Sequence, residues 1–264
     1  MQLSIITAAG RVEPYLADTA ASIHRFVELA GIREAEWIIA CDVVDAEAVG
    51  ALAGRSTDTV KVTVIGPDST VNAGPARTRN RALAYATGAV IATIDTDDMF
   101  MPEGMAFMWE RFNASDGAWI AGQMTKITEA GEQFEDPWEI HLQLGTQNLG
   151  VFQSYGREHG YVPWHCCATL VTASAVRAVG GWDESATFAR GEDVAMWARI
   201  TNQHRGDWCL EPVLAKRTNP ESITLRPDWG TDAATEVIRL LGSSLDVVEP
   251  SRGSITENLN FSTS

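Results

Sequence analysis

The strongest constraint on this chain is the alternation, through its N-terminal portion, of short apolar runs with segments of helical periodicity. Leu3 to Thr7 is an Ile-rich run ending in Ala8, Ala9 and Gly10, the pattern of a buried strand that enters a tight loop. From Glu13 to Leu29 the apolar residues Leu16, Ala20, Ile23 and Val27 recur at helical spacing, and Gly31 supplies a stop. A second apolar run, Trp37 to Cys41, ends at Asp42. Val60 to Ile65 alternates as a third strand, Pro75 to Tyr85 reads as a helix closed by Gly88, and Ala89 to Ile94 runs as a fourth strand straight into Asp95. This alternation predicts an α/β fold with a mostly parallel central sheet, helices on both faces, and ligands beyond the carboxyl ends of the strands. Two of those ends carry aspartates.

Past Pro102 the pattern weakens. Met105 to Phe112 is expected as a helix, Ala118 to Met124 as a strand, Thr172 to Val179 as a short helix stopped by Gly180 and Gly181, and Asp193 to Ile200 as a further helix. Residues 125–165 hold Trp138, His141, His159, Tyr161 and Trp164 among Gly and Gln, too polar for a core and too aromatic for a linker. They are expected to form an insertion that shapes a pocket. From Ser251 the chain is polar, a tail expected to be mobile or ordered by a partner.

Of the 264 residues 45% are apolar and 21% charged, which supplies material for a sizeable core. No stretch approaches the ~20 consecutive apolar residues that a membrane-spanning helix needs, and MQLSIITAAG lacks the basic start of a secretory signal, so the expected location is the cytoplasm. Cys41, Cys166, Cys167 and Cys209 show no paired metal-ligand spacing and read as reduced, mostly buried thiols. A net charge of -15 argues against a nucleic-acid surface, because neutralising phosphates needs clustered Lys and Arg. An acidic protein that handles an anionic nucleotide needs a local cation, either a divalent metal or a few well-placed arginines.

Asp95-Thr96-Asp97-Asp98 directly follows the fourth strand. Three carboxylates in four residues repel one another, so a fold keeps them together only if a cation or strong donors offset the cost. Mg2+ or Mn2+ held by one or two of them, together with phosphate oxygens, meets that need. A helix start, with Asp97 or Asp98 capping the helix after Pro102, is the competing reading.

At this point the chain resembles family 2 glycosyltransferases, over most of residues 1–220. Ser4 to Thr7 is similar to the family's opening strand, Gly74-Pro75-Ala76-Arg77-Thr78-Arg79-Asn80 to its G-x-x-x-A-R-N segment, and Gly180-Gly181-Trp182-Asp183-Glu184 to its G-G-[FW]-D-E, with Gly191-Glu192-Asp193 in the place of its E-D pair. The resemblance implies the GT-A (Rossmann-like) nucleotide-diphospho-sugar transferase fold, with a nucleotide-sugar-binding half over 1–105, an acceptor-binding and catalytic half over 106–225, and a C-terminal helix and polar tail over 226–264. It implies nucleotide contacts from Thr7, Asp42, Arg79 and Asp97, with Asp42 on the base and Asp97 on the ribose. It also implies metal ligation by Asp98 with Asp97, and a sugar or acceptor pocket drawn from Trp164, His165, Trp182 and Glu192. The closest motif likeness is to the spore-coat type of inverting enzyme, which makes Asp193 the general base.

Arg77 and Arg79 have two readings, pairing with the diphosphate or base, and salt bridges to the acidic sheet edge. Three departures from the family pattern stand out: Cys41 replaces the first aspartate of a pair, Thr78 replaces an alanine, and Asn219 replaces a histidine of R-x-H-x-x-S. The last puts a third metal ligand in doubt. No Q-x-x-R-W motif follows the base, so one sugar is expected per encounter. The expected partners are a nucleoside diphosphate sugar and an acceptor hydroxyl or amine, with no nucleic acid and no membrane span; a homodimer is compatible with these features. A nucleotidyltransferase and a catalytically silent sugar-nucleotide-binding module are the competing functions.

Overall fold

The computed structural model of the chain describes residues 2–134, 165–185 and 192–218. The N-terminal part follows the expected alternation: β1 (Leu3–Ala9), α1 (Leu16–Leu29), β2 (Ala35–Cys41), α2 (Ala46–Ala53), β3 (Val60–Ile65), α3 (Gly74–Tyr85) and β4 (Val90–Thr93). The distal part adds β5 (Met99–Phe100), α4 (Pro102–Ala114), β6 (Trp119–Ile127), β7 (Gln133–Phe134), β8 (Thr169–Thr172), α5 (Ala173–Ala178), α6 (Glu192–Gln203) and β9 (Gly206–Arg217).

The strands form one sheet in the order β3-β2-β1-β4-β8-β6-β9-β5, with β7 paired to β6. β3, β2, β1 and β4 are mutually parallel, and β1 runs in register with β2 from Leu3 opposite Ala35 to Ala9 opposite Cys41. β2 is buried at all seven positions, which explains its unbroken apolar run: a strand covered on both faces has no solvent side to alternate with. The chain winds outward from β1 to β3, then returns through α3 to β4 on the other side of β1. With right-handed crossovers this puts α3 on the face opposite α1 and α2, and makes the carboxyl ends of β1 and β4 the switch point where ligands bind in such sheets. α1 packs on α2 and α4, while α3 packs on β1 and β2.

Beyond β4 the sheet turns mixed. β8 joins β4 and β6 antiparallel, whereas β9 lies parallel to β6 and antiparallel to β5. α5 opens at Thr172, whose side chain accepts from the Ala175 amide, so the expected helix begins one residue later and follows a strand the apolar pattern did not separate from it. One continuous core runs from β1 to β9 and includes the buried Trp37, Trp119, Trp182 and Trp197. Trp119 and Trp197 meet edge-on at 6.1 Å, and Phe26 meets Phe100 at 5.7 Å. All four cysteines are free and buried, as expected. No helix among the described residues is long and apolar enough to cross a membrane. The end of the expected insertion that is described, residues 125–134, completes β6 and its hairpin with β7. Trp138, His141, His159, Tyr161 and Trp164, Gly191 and Asn219, and the C-terminal region from 226 lie outside the described residues.

Candidate active site

The acidic turn is built by the elements around it. The Ile94 amide donates to Ile6 O at 3.1 Å, which carries the β1–β4 pairing one residue past β4, and the Asp98 amide closes back on Asp95 O at 3.4 Å. From α1, the buried Thr19 hydroxyl donates to Asp98 O at 2.7 Å, and Ser22 Oγ accepts from the Phe100 amide at 3.1 Å. β5 then pairs with β9, Met99 opposite Ala215 and Phe100 opposite Leu214, which brings Lys216 and Arg217 against the turn. The Arg217 amide donates to Asp98 Oδ1 at 2.9 Å. Its guanidinium donates to Asp97 O at 3.1 Å, Glu129 O at 2.6 Å and Asp18 Oδ2 at 3.1 Å, and stacks 4.2 Å above the Tyr15 ring. The helix-cap reading fails, because the N-cap of α4 is Met101 and no side chain caps that helix.

Asp98 is fully buried, and its Oδ2 has no hydrogen-bond partner; the nearest cation is Lys216 Nζ at 3.5 Å. Burial pushes the Asp98 carboxyl above the ordinary carboxylate range, with Lys216 pulling it down and Asp95 and Asp97 pushing it further up. Burial also works against the Lys216 ammonium, but Asp98 and Asp95 outweigh it and hold the group charged. Asp97 is raised by burial and then by Asp95. Asp95 goes the other way: burial raises it, but the charges of Arg79 and Lys216 and an Arg79 hydrogen bond carry it down to about 2.

Arg79 and Asn80 on α3 connect the sequence motifs physically. Arg79 Nη1 donates to Glu192 Oε1 at 2.7 Å and Nη2 to Asp95 Oδ1 at 3.1 Å, with its side chain 9% exposed. Asn80 donates to Trp182 O at 2.7 Å and to Glu184 Oε1 at 2.8 Å, and accepts from the Trp182 amide at 3.0 Å. Arg199 on α6 reaches back to Gly181 O at 3.0 Å and Asp183 Oδ2 at 3.4 Å. The Gly181 turn, at φ +70°, lies so close to Asn80 that a Cβ there would stand 2.5 Å from Asn80 Oδ1.

Several expected site residues make contacts within the protein. Thr7 is fully buried; its hydroxyl donates to Ile94 O at 2.8 Å and accepts from Trp37 Nε1 at 2.9 Å, so it clamps β1 to β4. The Asp42 carboxylate accepts from the Ala73 amide at 2.9 Å and the Gly74 amide at 3.1 Å, which anchors the start of α3. Arg79 forms salt bridges to Asp95 and Glu192, the contacts of the second reading. Arg77 pairs with Asp68 at 3.0 Å in solvent, a contact worth little. Trp182 is a core residue, and Glu192 is buried under Arg79. Asp193, in the first turn of α6, is half-buried and close enough for its charge to act on Arg79 and Cys166.

His165 has joined the site. Ligand atoms of Asp95, Asp98 and His165 lie within 4.8 Å of one another, a group that excludes Asp97. Burial, then the charge of Lys216, drives His165 down to about 3, so its ring is neutral at physiological pH. The Cys167 amide donates to His165 Nδ1 at 3.2 Å, which leaves the ring proton on Nε2 and makes His165 a donor into the site; coordination through either nitrogen would break that arrangement. The carboxylates pass the test that the ring does not. Hard oxygen donors suit Mg2+ or Mn2+, and Asp98 Oδ2 is a buried oxygen in want of a partner. A groove of about 490 Å³ lined by Gln2, Arg33, Trp109 and Asn113 sits by the amino ends of β1 and β2 and includes none of these residues.

Sequence reasoning missed Thr19 and Lys216, and met Arg217 only as the arginine of the R-x-H-x-x-S segment, without a role. Thr19 looks like any helix hydroxyl. Lys216 and Arg217 belong to β9, whose pairing with β6 shifts register twice and whose sequence holds Glu211, Pro212 and Lys216, so no period-two pattern marks it as a strand.

A strand-order reversal beside a carboxylate turn, with a second acidic pair delivered by α6, is the frame of a GT-A type fold. The model of the family described as Glycosyl transferase family 2 matches residues 4–173, and the chain belongs to that family. Among solved structures, it is similar to Staphylococcus aureus TarS in complex with UDP-GlcNAc, at TM-score 0.66 and 15% identity over 91% of this chain and 65% of that one. It is also similar to the mannosyltransferase PcManGT from Pyrobaculum calidifontis in complex with GDP-Man and Mn2+, at TM-score 0.59 and 13% identity over 83% of this chain and 58% of that one. The chain spans about three-fifths of the length of these structures, and 39% of the longer TarS chain.

Proposed function

We propose that the chain transfers one sugar from a nucleoside diphosphate donor to an acceptor hydroxyl or amine by a single inverting displacement. The observation that carries this reading is the Arg79 bridge from Asp95 to Glu192, which sets the first turn of α6, and with it Asp193, beside the carboxylate turn at the switch point of the sheet. The structures it resembles are described with UDP-GlcNAc and GDP-Man, which supports a nucleotide sugar as donor.

In this reading Asp193 takes the acceptor proton as the acceptor oxygen or nitrogen bonds to the anomeric carbon and the bond from that carbon to the diphosphate oxygen breaks. One displacement inverts the configuration and needs no enzyme nucleophile. Asp98, with Asp95 or Asp97, would hold Mn2+ or Mg2+, which when bound neutralises the diphosphate leaving group. Asp97 is kept for the ribose, and Asp42 for the base in addition to its anchoring of α3. The neutral His165 donates from Nε2 toward donor oxygens in the site.

The test is a panel of nucleotide sugars screened by thermal shift with and without Mn2+, followed by nucleoside diphosphate release with the best of them. A rise in melting temperature for one donor class and release that depends on an acceptor are expected. No shift and no release across the panel would remove the reading.

A further inference from the structure

The buried carboxylate cluster is not empty of positive charge. Lys216 Nζ stands 3.5 Å from Asp98 Oδ2, the oxygen that no hydrogen bond satisfies, and Asp95 and Asp97 act on the same ammonium. Its side chain is 24% exposed, so it has a route out. Its position is fixed by backbone: β5–β9 pairing sets Ala215 opposite Met99, and the next amide but one, that of Arg217, holds Asp98 Oδ1. The lysine therefore meets the one oxygen of Asp98 that the main chain leaves over. A buried carboxylate needs a cation near it, and this chain supplies one from its own sequence.

We propose that Lys216 is the resident cation of the site and competes with a divalent metal for Asp98 Oδ2, so that the free protein binds metal weakly and metal enters together with the nucleoside diphosphate. When the diphosphate arrives, the Lys216 ammonium has a second anionic partner and the carboxylate is released to the metal. An ammonium and a divalent ion on one oxygen would stand about 4 Å apart, and their repulsion there disfavours holding both at once until a further anion arrives. This inference rests on the metal assignment in the proposed function, and it adds an order of loading that the family resemblance does not contain.

The experiment is a titration with Mn2+ alone, read by the loss of the free-ion EPR signal, on the full chain without nucleotide. Lys216→Met should bind Mn2+ at least about tenfold more tightly than wild type. Lys216→Arg, which keeps the charge, should stay as weak as wild type. Asp98→Asn added to Lys216→Met should abolish the gain. Equal affinity in wild type and Lys216→Met, or a gain that survives Asp98→Asn, would overturn the proposal. Should Lys216→Met fail to fold, acetylation of Lys216 in the unaltered protein, read by mass spectrometry, gives the same answer. Labelling should rise several-fold at saturating Mn2+ over chelator, and unchanged labelling would overturn it. Failure of the transferase reading shows separately, as no binding of any nucleoside diphosphate, since none of these metal titrations contains a nucleotide.

Discussion

Arg79 Nη1 lies 2.7 Å from Glu192 Oε1, both side chains are less than a tenth exposed, and the other arm of the same guanidinium holds Asp95. One arginine thus couples the strand end that carries the acidic turn to the helix that carries the second acidic pair. The same contact joins the R-N segment to the E-D pair, with Arg79 and Glu192 as each other's counter-charge.

Removing that arginine takes the shared cation from the buried Glu192 carboxylate and the partly exposed Asp95 carboxylate. Arg79→Met should cost about 3–5 kcal/mol, the range for breaking a buried ion pair by deleting one partner. Urea unfolding measures it. Arg79→Lys should recover part of the loss, because an ammonium cannot fork to both carboxylates. A change within about 0.5 kcal/mol for Arg79→Met would show that the bridge carries no stability.

Asp193→Asn preserves shape and removes the proton acceptor. Turnover should fall by roughly 10² to 10⁴ while donor affinity stays near wild type, and Glu192→Gln should instead lower stability through the lost Arg79 contact. Proton NMR of the product should give a beta linkage from an alpha-linked donor. Retention of configuration, or near-normal turnover in Asp193→Asn, would assign the chemistry elsewhere.

Asp42 gives a prediction with two separable readouts. Its carboxylate anchors the Ala73 and Gly74 amides, so Asp42→Ala should destabilise by about 1–2 kcal/mol, as the loss of a helix-start acceptor does. If it also contacts the base, selection among nucleotide bases should blur in the folded variant. Lower stability with base preference unchanged would leave only the anchoring role.

A pH dependence follows from Glu36 at the other end of the sheet. Burial pushes its carboxyl up, but the Ser4 hydroxyl at 2.6 Å and the Thr87 amide and hydroxyl at 2.7 and 2.8 Å outweigh it and hold the carboxyl below its ordinary value. A folded-state value below the unfolded one adds stability that is complete above the unfolded value and fades as pH falls through the folded one. The stability advantage of wild type over Glu36→Gln, from urea unfolding, should therefore shrink as pH falls from neutral through and below the ordinary carboxylate range. An advantage that is flat or grows toward acid would contradict the assignment.

The parallel half of the sheet and the place of the acidic turn were legible in the sequence. Strands buried on both faces must be continuous apolar runs, and a chain that leaves such a run into charge must do so at a strand end. Asp95, Asp97, Asp98, Glu192 and Asp193 were found on that ground and through the family motifs. What each does to its neighbours was not legible. Arg79 and Glu192 are 113 residues apart, and no local signal distinguishes an arginine bound for phosphate from one bound for a carboxylate. Thr7 and Trp182 are polar and aromatic residues in motif positions, yet both are fully or nearly fully buried, because the β1–β4 clamp and the core at α3 need them there. β9 was the largest omission. Its irregular pairing erases the alternation that announces a strand, so the positions of Lys216 and Arg217 were fixed only when β5 and β6 closed on it. The sequence by itself determined the acidic charges of the site. Tertiary structure decided which of them meet, since the energy of a charge depends on partners and burial supplied by segments far away along the chain.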